Sequence, residues 1–212
     1  MSEPISFERA GRGRTVVVLH PLGLGPGPLR PMADRLSDHH DVVVPARRGY
    51  GPDEALTGPR DLEDHLDDLL TLLDALELES ATFVGVSAGA TLVLALAIEH
   101  PDVVDAGLAH EPLIGPLAPE LHETVSEAIG QLLADGSPKA VAAFVADLIG
   151  VEAWNRLRPE WRAAVEAHAD TALAEACAYP AFAPTPDALA TLGGRGIVTS
   201  VGARSGRARH EA

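Results

Sequence analysis

The pentapeptide Gly85-Val86-Ser87-Ala88-Gly89, set within Ala81–His100, decides how the rest of the chain is read. Just upstream, Ala81-Thr82-Phe83-Val84-Gly85-Val86 is short, apolar and rich in β-branched and aromatic side chains, the composition of a strand buried on both faces. Downstream, Ala88 to Ile98 is small or straight-chain apolar, which predicts a buried helix. Ser87 falls at the junction, with glycine two residues to either side. A strand that turns this sharply into a helix presses backbone against backbone, and glycine at both flanks removes the Cβ atoms that would collide. The turn lifts the Ser87 hydroxyl to the top of the sheet. The Ala88 N–H then points to where a developing oxyanion would form. A glycine-rich turn of any α/β protein shares the pattern; the strand before and the helix after favour the sharper reading.

Around this turn the chain has 212 residues, 46% hydrophobic and 22% charged, enough for one domain with a sizeable core and room for an insertion. A net charge of −15 argues against a nucleic-acid surface, which needs a basic face. Apart from Lys139 the basic residues are all arginine, and Arg195, Arg204, Arg207 and Arg209 are too diluted by glycine to form a phosphate-binding patch. The single cysteine, Cys177, can form no internal disulfide, and its Ala-rich surroundings predict a small buried hydrophobe. Met1-Ser2-Glu3-Pro4 lacks the basic-then-apolar pattern of a signal peptide, and no apolar run reaches the roughly 18 residues of a membrane span. A cytoplasmic location with no membrane partner is therefore expected.

Taken in order, Ile5–Arg9 reads as a strand, and Thr15–Leu19, apolar throughout, as a central one. The loop His20-Pro21-Leu22-Gly23-Leu24-Gly25-Pro26-Gly27 follows at the sheet edge where ligands bind in open α/β proteins. Its G-x-G-x-G spacing is not the dinucleotide pattern, Pro26 removes a donor, and no P-loop lysine follows, so no nucleotide cofactor is expected. Leu29–Leu36 predicts a helix, Asp41–Pro45 a strand, and Arg47-Arg48-Gly49-Tyr50-Gly51 a loop. Asp61–Leu76 is the clearest amphipathic helix: six leucines fall on one face, while His65, Asp68 and the other acidic residues are expected in water, not on a metal. Val103–Ala109 reads as another strand, ending at His110-Glu111-Pro112 on the same sheet edge. From Leu113 to Pro186 the texture turns helical, over Glu120–Ala134, Lys139–Ile149 and Glu160–Ala176, with Trp154, Trp161, Tyr179 and Phe182 lining a cavity or packing insertion on core. Gly196–Val201 is a last strand, before Gly202-Ala203-Arg204-Ser205.

This order of features resembles the α/β-hydrolase superfamily, in its esterase-like branch with a helical cap, across residues 5–205. The resemblance implies an α/β fold: a mostly parallel central sheet with helices on both faces, residues 1–112 and 187–212 forming the core and 113–186 the cap. It implies Ser87 as nucleophile. The loop after the first central strand usually reads His-Gly-x in that family, and its third residue supplies an oxyanion donor. Here that residue is Leu22, with Pro21 in place of the glycine and Ala88 as second donor. The family's usual acid position, Gly-x-x-Asp, reads Gly202-Ala203-Arg204-Ser205. Glu111, at the end of the strand after the elbow, is the alternative acid that a minority of members use. The family's histidine comes tens of residues beyond the position of Ser205, and here only His210 lies downstream; His110 and His168 are the other options. His20, often structural in this family, and His110 flank the expected site as candidate substrate-binding residues.

Two departures, the acid and the histidine, leave three readings. The first is a serine hydrolase acting on a small ester-like or acyl substrate, without metal or cofactor. The second is a catalytically impaired or truncated relative, lacking the final strand and helix, that binds a small apolar ligand. The third is cofactor-free oxidation on the same scaffold. An unpaired sheet edge would also favour self-association into a homo-oligomer.

Overall fold

The computed structural model describes residues 3–51, 58–114 and 119–203. Six strands form one sheet: β1 (Phe7–Gly11), β2 (Thr15–Leu19), β3 (Asp41–Pro45), β4 (Ala81–Val86), β5 (Val104–His110) and β6 (Ile197–Ser200), in the order β1-β3-β2-β4-β5-β6. Only β1 runs antiparallel to its neighbour. The apolar runs predict this placement, because β2 and β3 are buried on both faces. β4 is the exception: Thr82, Val84 and Val86 are only partly covered.

Side chains alternate across the sheet, and each face has its own helices. Val17, Leu19, Val43 and Phe83 join the main core, together with α2 (Leu62–Ala75) and α3 (Ala88–Glu99). Val16, Val18, Val42 and Val44 pack on the opposite side against Ala33 of α1 (Arg30–Leu36). Asp61 caps α2 in a reciprocal box with Asp64, which satisfies two orphan N-terminal donors. From Ala88 to Ala97 every residue of α3 is buried, so this helix is apolar all round where α2 is amphipathic.

Between β5 and β6 run six helices and no strand among the described residues: α4 (Pro119–Asp135), α5 (Pro138–Ile149), α6 (Val151–Arg156), α7 (Pro159–Ala167), α8 (Ala169–Glu175) and α9 (Pro186–Ala190). The continuous helix expected over Glu160–Ala176 is broken at His168, whose φ of −96° and ψ of 18° end α7 and start α8. Cys177 corrects its own expectation: it follows α8 in a turn and is exposed. At the β6 end of the sheet, the register partners Leu108 and Val198 are 38% and 56% exposed. No helix among the described residues is long and apolar enough to cross a membrane.

Candidate active site

Ser87 stands between β4 and α3 with φ 54° and ψ −117°, a conformation that a non-glycine residue holds only where its surroundings impose it. The surroundings do so by close backbone approach. A Cβ on Gly85 would come within 2.2 Å of the Gly89 carbonyl oxygen, and one on Gly89 within 2.3 Å of that of Leu19. The Ser87 N–H donates to the His110 carbonyl at 2.9 Å, which ties the turn to the end of β5. The Ser87 carbonyl accepts from the Thr91 N–H at 3.0 Å, and the buried Thr91 hydroxyl accepts from the Leu113 N–H at 3.1 Å.

Ser87 opens into a cavity of about 470 Å³ whose wall also includes Leu22, Ala88 and Glu111. Glu111 shares the strain of Ser87, with φ 53°. The two residues follow adjacent parallel strands, so both strained positions meet at one edge of the sheet. The Glu111 carboxylate accepts from the Gly202 N–H at 3.0 Å, and its own N–H donates to Ser200 O at 2.8 Å. Most of the remaining wall is apolar, with residues of α4, α5, α9 and β6 joined by those that follow β5 and α9. Thr199 and Ser200 are polar residues of this wall, and these two β6 residues carried no signal beyond their place in a short strand; Tyr179 also lines it, with its hydroxyl committed to Glu175.

Neither histidine singled out as a substrate contact is among the residues of this wall. His20 is 0% exposed, with Nδ1 2.9 Å from the Pro21 carbonyl and Nε2 accepting from the Arg47 N–H at 3.1 Å. Both ring nitrogens are thus engaged in the fold, and burial first, then the Arg47 charge, holds the ring well below the usual histidine range. The ring braces the loop against the chain that follows β3. His110 is off the cavity wall, its Nδ1 3.0 Å from the hydroxyl of Ser200. His168 is also off that wall, half-buried against Tyr50. Ser205, His210 and the arginines 204, 207 and 209 lie outside the described residues.

Beneath the 20–27 loop lies a buried polar cluster that the sequence reading did not anticipate. Arg47 donates to both carboxylate oxygens of Glu175, at 3.0 and 2.9 Å, with both side chains at most 2% exposed. Glu175 also accepts from the hydroxyls of Tyr50 (2.6 Å) and Tyr179 (2.9 Å), and His65 Nε2 lies 3.4 Å away. His65 and Asp68 therefore correct the expectation of a solvated face. His65 is 1% exposed, and Asp68 is buried between Arg48 and Arg60, which donate to it at 2.6 and 2.7 Å. No group of His, Cys, Asp and Glu suited to hold a metal occurs among the described residues.

This cluster makes stability depend on pH with a definite sign. Burial, only partly offset by the Glu175 carboxylate and reinforced by the Arg47 and Arg60 charges, lowers His65 from 6.5 to about 4. Burial pushes the Glu175 carboxyl up, but the charge and hydrogen bonds of Arg47 outweigh it and bring the group to about 2. Between pH 6.5 and 4 the unfolded chain takes up a proton at His65 that the folded one refuses, so stability falls as pH falls. Below pH 4.5 Glu175 adds to the same trend. Urea denaturation should show a loss of up to about 1.4 kcal/mol per pH unit for each such proton. A flat stability profile between pH 6.5 and 4 would contradict the buried neutral imidazole.

Residues 14–173 match the family profile described as "alpha/beta hydrolase fold". The uncharacterized hydrolase YraK of Bacillus subtilis (strain 168) is 30% identical over 113 residues, 52% of this chain and 41% of that protein. The 2-hydroxymuconate semialdehyde hydrolase of Pseudomonas sp. (strain CF600) is 35% identical over 104 residues, 45% of this chain and 35% of that one. In each case the match spans less than half the length of the relative. Among solved structures, an alpha/beta hydrolase from Sphaerobacter thermophilus DSM 20745 superposes with a TM-score of 0.70 at 29% identity, covering 97% of this chain and 81% of its own.

Proposed function

Because the chain belongs to the α/β-hydrolase fold family, we propose that it is a serine hydrolase acting on small esters or related acyl compounds with an apolar acyl group. The observation that carries this reading is the strained Ser87 on the wall of one cavity with Leu22, Ala88 and Glu111. The Ser87 hydroxyl attacks the acyl carbonyl. The Leu22 and Ala88 N–H groups receive the negative charge that develops on its oxygen, and preorganised donors of this kind supply about 3–4 kcal/mol each in related chemistry. Glu111, fixed by the Gly202 N–H, is the acid that orients the histidine base. The base takes the Ser87 proton and returns it to the departing alcohol as the acyl C–O bond breaks, and water then hydrolyses the acyl-serine by the same proton path, restoring the hydroxyl. That histidine is not on the cavity wall among the described residues, and His210 lies beyond them.

The helices between β5 and β6 act as a cap that shapes the acyl pocket. Ile114, Phe144, Leu148, Leu189 and Leu192 favour an uncharged chain over a charged one, because burying a charge here would leave it unpaired. p-Nitrophenyl esters of increasing acyl length test the reading. Turnover that rises from acetyl into the medium chain lengths is expected, with Glu111→Gln lowering it at least about tenfold. No turnover at any length would contradict the proposed activity, and an unchanged Glu111→Gln would remove that residue from the site.

A further inference from the structure

The loop that carries Leu22 is gripped from below on both sides of that residue. On one side the Arg47 guanidinium donates to the His20 carbonyl and, at 3.2 Å, to the Pro21 carbonyl. On the other, the Gly23 N–H donates to the Tyr50 hydroxyl at 2.8 Å, while that hydroxyl donates onward to Glu175. Pro21 has no N–H and that of Gly23 is occupied. Leu22 therefore carries the N–H that this stretch can offer to the cavity. The grip originates in the helical segment between β5 and β6, since Glu175 ends α8. Two more bonds fasten α8 to the same region: the Thr171 hydroxyl donates to Gly49 O at 2.9 Å, and the Arg60 N–H to Ala174 O at 2.9 Å.

The glycines of the loop complete the contact. A Cβ on Gly23 would lie 3.0 Å from Val145 of α5, and one on Gly27 3.4 Å from the indole of Trp161 of α7. Gly23 and Gly25 also hold φ of 76° and 63°, so the loop backbone itself calls for glycine at both, and at Gly23 the approach of α5 adds to that demand. Such a cluster is a poor way to gain stability, because desolvating two charges costs about as much as their attraction returns. What it does provide is a fixed direction for a backbone amide.

We propose that Tyr50, with Glu175 and Arg47 behind it, is a positioning residue for the oxyanion donor of Leu22, so that the helical segment sets the catalytic geometry as well as the pocket. This rests on the serine-hydrolase reading above. A donor displaced by about 1 Å costs on the order of a hundredfold in rate. Tyr50→Phe deletes one hydroxyl and little volume. It should lower kcat ten- to a hundredfold with KM within twofold, and slow covalent labelling of Ser87 by a fluorophosphonate in parallel. The double variant Arg47→Met/Glu175→Leu removes the ion pair without stranding either charge. It should remain folded yet stay at least tenfold slow.

A Tyr50→Phe enzyme with kcat within twofold of the parent would overturn the proposal. So would a double variant that recovers full kcat. If Ser87 of the parent protein takes no label at all, the hydrolase reading fails and this inference with it; a labelled Ser87 whose rate ignores Tyr50→Phe sinks the inference alone.

Discussion

Glu175→Ala is expected to destabilise the protein by about 3–5 kcal/mol, the largest loss of stability that any single change outside the apolar core should cause. The reason is what remains behind. Arg47, 2% exposed, would keep its charge after losing the one carboxylate it pairs with among the described residues, and the hydroxyls of Tyr50 and Tyr179 would each lose an acceptor. Since a domain of this kind holds about 5–15 kcal/mol in total, the variant would sit near the threshold of folding. Removing both charges is a different experiment. In Arg47→Met/Glu175→Leu neither ion is stranded, so at least half of the loss should be recovered. Urea midpoints at neutral pH compare the three proteins. Equal losses in the single and double variants would mean that the pair's geometry, not its stranded charge, dominates.

Ser87→Ala is expected to reduce ester turnover by about a thousandfold or more while leaving the fold intact. Removing the hydroxyl removes the covalent step itself, whereas the oxyanion donors and the cavity still bind substrate and leave residual catalysis. KM should therefore move far less than kcat. Alanine also relieves nothing at the turn, because φ 54° is imposed by the approach of Gly85 and Gly89 to backbone, not by the serine side chain. Circular dichroism and the urea midpoint should match those of the parent protein.

Local signals explain what the sequence made visible. β2, β3 and β4 are uninterrupted apolar runs bounded by turn residues, and the elbow is marked by two glycines whose spacing answers a steric demand at each. The face of α2 that bears its leucines was legible for the same reason. The polar cluster was not. Arg47 and Glu175 stand 128 positions apart, and nothing near either announces the other. His65 and Asp68 follow the pattern of a wet helix face, yet Glu175 of α8, Arg48 and Arg60 cover that side of α2. His20 looked like a site residue because it borders a catalytic-type loop; its ring points inward to hold the chain after β3. One trace was present. A glutamate among Ala169–Ala178, otherwise apolar but for Asp170 and Thr171, and an arginine, Arg47, two residues past a buried strand are costly choices unless they meet.

The proposed nucleophile is the Ser87 hydroxyl, at a strained turn on the wall of the cavity that Leu22 and Ala88 also line. Incubation with an excess of a fluorophosphonate at mildly alkaline pH, followed by mass spectrometry of the intact protein and its peptides, tests it directly. One adduct per chain is expected, located on Ser87 and lost in Ser87→Ala. A folded protein that takes up no adduct, or carries it on another residue, would contradict it.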